Sequence, residues 1–222
     1  MPTPRAAGAL ASALLIACLG GCVGGGSAET PAGVNLSGNW QLDHAASDDP
    51  QKTLASMRAQ VQKLTQRSRE ATEARTGMAT PDPDAPDSRG APRRDPVRRS
   101  PMAHVIIALL TRGDYLTIRQ TPSQVVLDYG GLERSYTPGE RSVVSAEGGV
   151  GDQTAGWKGR EFIITVKGQM GVTVTESYTL SEDGKQLIMK LHLAPAELAA
   201  VTLRRVYNPT TEAAPRQLPS TD

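Results

Sequence analysis

From Asp114 onward, apolar residues recur at every second position, and turn residues interrupt the pattern at short, regular intervals. "DYLTIRQT" and "SQVVLDYG" meet at Pro122-Ser123, and "ERSYT" and "RSVVSAE" at Pro138-Gly139. "DQTAGWKG" and "REFIITVKG" meet at Lys158-Gly159, "GVTVTESYTL" and "QLIMKLHL" at Asp183-Gly184, and "AVTLRRVYN" closes the series. A period of two places alternate side chains on opposite faces of a strand. Short strands punctuated this way build an antiparallel meander, sandwich or barrel, and Asp-Gly is the strongest hairpin signal among these turns. The inward-facing set is Trp40, Leu116, Ile118, Val125, Leu127, Phe162, Ile164, Val166, Val172, Val174, Tyr178, Leu187, Met189, Leu191, Val201 and Leu203.

The earlier part of the chain adds one strand and one helix. "LSGNWQLD" (36–43) alternates, with Leu36, Gly38, Trp40 and Leu42 on one face, as a half-buried strand does. A helix follows over 49–76. Asp49 can cap it, Pro50 suits the first helical position, and Leu54, Met57, Val61 and Leu64 form a narrow apolar stripe. Beyond Leu64 the stripe fades, so the first half should dock and the second half project; Gly77 ends the helix. Residues 78–101 are Pro, Asp and Arg with almost nothing large and apolar, a composition that cannot support a core and reads as disordered. The run "MAHVIIALLTRG" (102–113) is apolar enough for a short buried helix or turn. The expected fold is therefore mostly β: an antiparallel up-and-down barrel or strongly bent meander of about eight to ten strands, with one amphipathic helix inserted after the first strand. It forms a single domain over 36–207, followed by a flexible tail over 208–222.

The two cysteines lie in "LIACLGGCVGGG" (15–26). Arg5 precedes an apolar stretch, "AAGALASALLIA" (6–17), too short to span a bilayer and shaped like a secretory signal. A Cys-x3-Cys metal pair would need two more ligands, and no histidine lies within twenty residues. A disulfide would sit in a segment that processing removes. "Leu19-Gly20-Gly21-Cys22" resembles the lipobox of bacterial lipoproteins, and "Leu15-Ile16-Ala17-Cys18" matches the same pattern. The resemblance implies a signal peptide over 1–21 and a diacylglycerol-modified Cys22 as the mature first residue, with Cys18 the alternative. A flexible tether over 22–35 would follow. Val23, in place of Asp, implies sorting to the outer membrane, facing the periplasm.

"Gly38-Asn39-Trp40" resembles the G-x-W motif of lipocalins and related calycin barrels. In that family an arginine near the last strand packs over the tryptophan and closes the barrel base. Alternation with Val201 and Leu203 turns Arg205 inward, so the resemblance implies a Trp40–Arg205 closure, a guanidinium-on-indole contact of about 0.5–2 kcal/mol. The insertion after the first strand departs from the family pattern.

Glu176 occupies the apolar phase of its strand, between Val174 and Tyr178. A buried carboxylate must be paired or protonated. Arg205 is the expected partner, either as an ion pair that sets strand register or, with Tyr178, as a polar anchor for an interior ligand. His44, His104 and His192 lie in three separate elements without metal-ligand spacing. No serine falls in G-x-S-x-G or Ser-x-x-Lys, and the glycine-rich stretches lack the helix and lysine of a phosphate loop. Neither an enzyme motif nor a cofactor or metal motif is present.

Total charge is balanced, with 24 Lys+Arg against 23 Asp+Glu, and aromatics are only 4%. That is not the basic, aromatic-studded surface of a nucleic-acid binder. Locally, residues 50–101 hold eleven Lys or Arg against six Asp or Glu. Arg89, Arg93, Arg94, Arg98 and Arg99 concentrate in one stretch, a solvated linker or an arm for anionic envelope material. Two functions emerge: a lipid-anchored, non-catalytic β module for a small apolar or amphipathic ligand, and an interaction scaffold using the helix and arginine-rich arm.

Overall fold

The alternating segments form strands. In chain order the elements are β1 (Gly38–Leu42), α1 (Pro50–Thr76), β2 (Tyr115–Gln120), β3 (Val125–Asp128), β4 (Glu133–Tyr136), β5 (Arg141–Ala146), β6 (Gly149–Lys158), β7 (Glu161–Gly168), β8 (Thr173–Leu180), β9 (Leu187–Ala194) and β10 (Val201–Thr210). This computed structural model describes residues 26–77, 107–110, 112–146, 149–169, 171–195 and 199–215. The signal segment with Cys18 and Cys22, the 78–101 segment with its five arginines, and His104 lie outside the described residues.

All ten strands join one antiparallel sheet in the order β4-β3-β2-β1-β10-β9-β8-β7-β6-β5. The sheet curls around a single hydrophobic cluster drawn from its concave face, including Leu116, Ile118, Leu127, Phe162, Ile164 and Leu191. The first strand pairs with both β2 and β10, so the helix-bearing insertion leaves the sheet and returns beside the strand it left. Strand direction defines two ends. The base carries the turns at 121–124, 137–140, 159–160 and 181–186; the rim carries α1, a helical turn over 107–110 and the turn at 129–132.

Helix α1 begins where the cap demands. The Asp49 side chain accepts from the Gln51 amide at 2.8 Å, and Gly77 closes the C-terminus in the left-handed conformation. Leu54 and Met57 are buried, whereas Leu64 is 40% exposed, so the helix packs by its first half and projects by its second.

Three expectations change. First, Pro138-Gly139 does not make a hairpin: β4 and β5 are the two edges of the sheet. Gly139, at φ 84°, donates its amide to the Ala155 carbonyl at 2.7 Å, and this tie to β6 turns the chain away from β4. Second, the described part of the expected tether, 26–35, is not free. Ser27 exchanges two backbone hydrogen bonds with Trp157, at 2.7 and 2.9 Å. A Cβ on Gly26 would lie 2.6 Å from the Gly156 carbonyl carbon, so this close approach needs glycine on both sides. The segment then crosses the base, where Val34 and Leu36 are buried and the Gln120 side chain bonds both backbones. Val34, with Leu36 after it, buries apolar surface that a solvated tether would leave wet. Third, β10 runs on to Thr210 because β1 needs a partner as far as Asn39, and residues 212–215 pack back over β2.

Candidate functional site

Inside the curl, Glu176 faces inward from β8, in register between Ile164 of β7 and Leu191 of β9. It is 1% exposed among aliphatic neighbours, so its charge must be met directly. Arg112 meets it with a two-pronged ion pair: Nη1 lies 2.6 Å from Oε2 and Nη2 lies 2.8 Å from Oε1. Arg134 on β4 adds a third contact, Nη1 to Oε1 at 3.0 Å. Tyr178, two residues along the same face, donates its hydroxyl to Oε2 at 2.7 Å. The Tyr129 and Tyr178 hydroxyls share a further hydrogen bond of 2.5 Å. Tyr178 has already given its one proton to Glu176, so Tyr129 is the donor. Arg112 in turn donates to Tyr129 at 3.1 Å and lies 4.9 Å above its ring, which closes the circuit.

The electrostatics follow from this geometry. Burial pushes the Glu176 carboxyl up, but the Arg112 charge and hydrogen bonds, then Arg134 and the Tyr178 hydroxyl, outweigh it and hold the group down at about 2. Burial, followed by the facing Glu176 charge, pushes the Tyr178 and Tyr136 hydroxyls well above the usual tyrosine value.

Arg205 is not the partner of Glu176. Its Nη2 donates to the carbonyls of Arg112 and Gly113, at 2.8 and 3.1 Å, and its guanidinium lies 5.5 Å from the centre of the Tyr207 ring. Nor does it reach Trp40. Trp40 is in register with Pro209, near the base, whereas Arg205 sits mid-strand opposite Met189. Trp40 instead donates its indole N–H to the Leu36 carbonyl at 3.1 Å, fastening the crossing segment. Of the expected interior trio, Glu176 and Tyr178 are in direct contact. Arg205 supports them one step removed, by holding the backbone of the residue that carries the ion pair.

Residues 107–110 and Arg112 enter the rim like a plug, with Leu109, Leu110 and Arg112 buried. Arg112, Arg134, Tyr129 and Tyr136 were not expected at the site. Arg134 was within reach of the alternation rule, because it shares the phase of Tyr136 on β4. Arg112 carries the weaker signal of a lone cation ending an apolar run.

Beside the cluster, between the unpaired edges β4 and β5, lies a cavity of about 540 Å³. Its aliphatic walls come from Leu109, Leu132, Val144, Val166 and Val174, and its floor includes Arg112, Arg134 and Glu176. Tyr136 also lines it. Among the described residues, the Tyr136 hydroxyl, Arg205 Nη1 and Trp157 Nε1 are buried without a hydrogen-bond partner. His44 is exposed and bonds Asp114, and His192 bonds Thr202. Among the described residues, no group of three His, Cys, Asp or Glu side chains is arranged to hold a metal.

No protein-family model matches the chain, and no curated protein sequence does. Among solved structures it is similar to apo lipid binding protein 8 of Caenorhabditis elegans, at 12% identity and a TM-score of 0.44, covering 81% of this chain and 100% of that one. It is also similar to a secretory abundant heat soluble protein of Ramazzottius varieornatus, at 10% identity and a TM-score of 0.42, covering 82% and 99%. A third is the REP1-NXSQ fatty acid transporter, at 12% identity and a TM-score of 0.42, covering 80% and 97%.

Proposed function

We propose that this chain is a lipid-anchored cell-envelope protein whose curled sheet holds one small amphipathic molecule with an anionic head and performs no chemistry on it. The observation that carries the reading is the cavity between β4 and β5, where aliphatic walls meet two arginines that share a single carboxylate. A volume of about 540 Å³ lies in the range of small-molecule sites. The arginine pair leaves one positive charge uncompensated at the cavity floor, and the Tyr136 hydroxyl there has a proton to give. Arg134, with a side chain 28% exposed, is the member of the cluster that a ligand head can reach. The anchor rests on the signal segment and Cys22, and Val23 after it supports a position at the outer membrane, facing the periplasm.

Binding of anilinonaphthalene sulfonate, an anionic amphiphile, tests the reading. Arg134→Ala should weaken it at least about tenfold, the scale of one charge-assisted hydrogen bond, and should leave binding of an uncharged detergent unchanged. Equal affinities in the two proteins would remove the anionic head from the proposal.

A second reading draws on α1. The helix carries six Lys or Arg against two Asp or Glu, and its projecting half is solvent-facing. That suits contact with an anionic envelope surface. Deleting residues 50–101 would reproduce the null phenotype if this contact were the function.

A further inference from the structure

We infer that the chain, acylated at Cys22, stands on the bilayer by its base, with the cavity held away from the anchoring leaflet. This rests on the lipid-anchor reading above and concerns what that anchor does to orientation. Cys22 precedes Ser27 by five residues, and Ser27 is bonded to β6 through both its backbone groups. Five residues extend at most about 18 Å. From Ser27 the chain does not lift off the sheet. Ala28 lies against Gly139, and Val34 and Leu36 are buried beneath the base.

The anchor's reach is therefore measured from the base, at the Lys158 end of β6. A ten-residue strand such as β6 spans about 33 Å, so the rim lies beyond the reach of the lipidated residue. Most of the cavity's wall lies toward the rim, since Leu109 and Leu132 stand in rim segments and Val166 and Val174 near the rim ends of β7 and β8, while Tyr136 at the end of β4 marks its limit toward the base. The base carries both signs of charge, with Glu140, Glu182 and Asp183 in its turns as well as Lys158, Arg160 and Lys185. Headgroups of either sign can be met there. A cavity so placed takes its ligand from the aqueous side or from a facing partner, not by sideways entry from its own leaflet.

The test uses full-length protein, processed and lipidated in cells and reconstituted into phosphatidylcholine vesicles carrying a nitroxide-headgroup lipid. Two variants carry a fluorophore, one at the base (Arg160→Cys) and one at the rim (Ala200→Cys). The base label should be quenched several-fold more strongly than the rim label. Inserting about sixty Gly and Ser residues between Val23 and Gly26 should erase the difference, because a flexible linker of that length has a typical span of about 40–45 Å, longer than β6. Rim quenching equal to or stronger than base quenching overturns the orientation while the anchor stands, as does a difference that survives the insertion. Mass spectrometry separates the two ideas: a chain with no diacylglycerol on Cys22 overturns the anchor, and the orientation with it.

Discussion

Replacing Glu176 by glutamine is the sharpest probe of the interior. The change keeps size and shape, removes one negative charge, and leaves Arg112 and Arg134 facing each other without it. Glu176 accepts four hydrogen bonds, two from Arg112 and one each from Arg134 and Tyr178. A glutamine amide nitrogen can accept none of those that now end on the second oxygen. The cost follows in two ways. Removing one partner of a buried ion pair costs about 3–5 kcal/mol. Independently, a carboxyl held at about 2 against a usual 4.5 corresponds to about 3 kcal/mol of stabilisation by the neighbouring charges. The two agree on a loss of about 3–4 kcal/mol, or a Tm lower by roughly 10 °C for a chain of this size. Urea unfolding followed by the fluorescence of Trp40 and Trp157 measures it, with an unchanged m-value as the check that the folded state is the same. The pH profile adds a second readout. Folding lowers this pKa, so its contribution is present above about pH 4.5 and is lost as pH falls from there towards about 2. The variant should be flatter than the parent across that window. A loss under about 1 kcal/mol, the scale of a solvent-exposed pair, would refute the reasoning. So would an unaltered pH profile.

Two further outcomes follow from the packing. Tyr136, Tyr178 and Tyr207 have hydroxyls raised by burial, so in an alkaline ultraviolet titration their tyrosinate signal should appear only as the protein unfolds. Leu54→Ala should cost about 2–3 kcal/mol and Leu64→Ala less than about 0.5 in the same urea assay, since the first is buried beneath α1 and the second is 40% exposed; equal costs would mean that the whole helix docks.

The local properties of this chain were legible in its sequence because they depend on near neighbours. Alternation set the strands and the inward phase of Glu176, Tyr178 and Arg205. The Asp49-Pro50 start, the fading apolar stripe and Gly77 set the bounds of α1 and its half-docked packing. What the sequence could not supply was the pairing of distant elements. Arg112, Arg134 and Arg205 were all candidates for one buried carboxylate, and periodicity cannot say that the first two reach it and the third does not. The sheet order brings β4 around to face β8, and the plug that starts at 107–110 carries Arg112 between them, which leaves Arg205 to hold backbone carbonyls. The same closure decided that β4 and β5 stay apart. Pro138-Gly139 has hairpin chemistry, but the tie from Gly139 to Ala155, with Ser27 and Ala28 packed alongside, favours a splayed turn. The cavity exists because of that splay. A hairpin is a local preference worth little against a set of long-range contacts, so the cavity on which the proposed function turns was settled by tertiary structure alone.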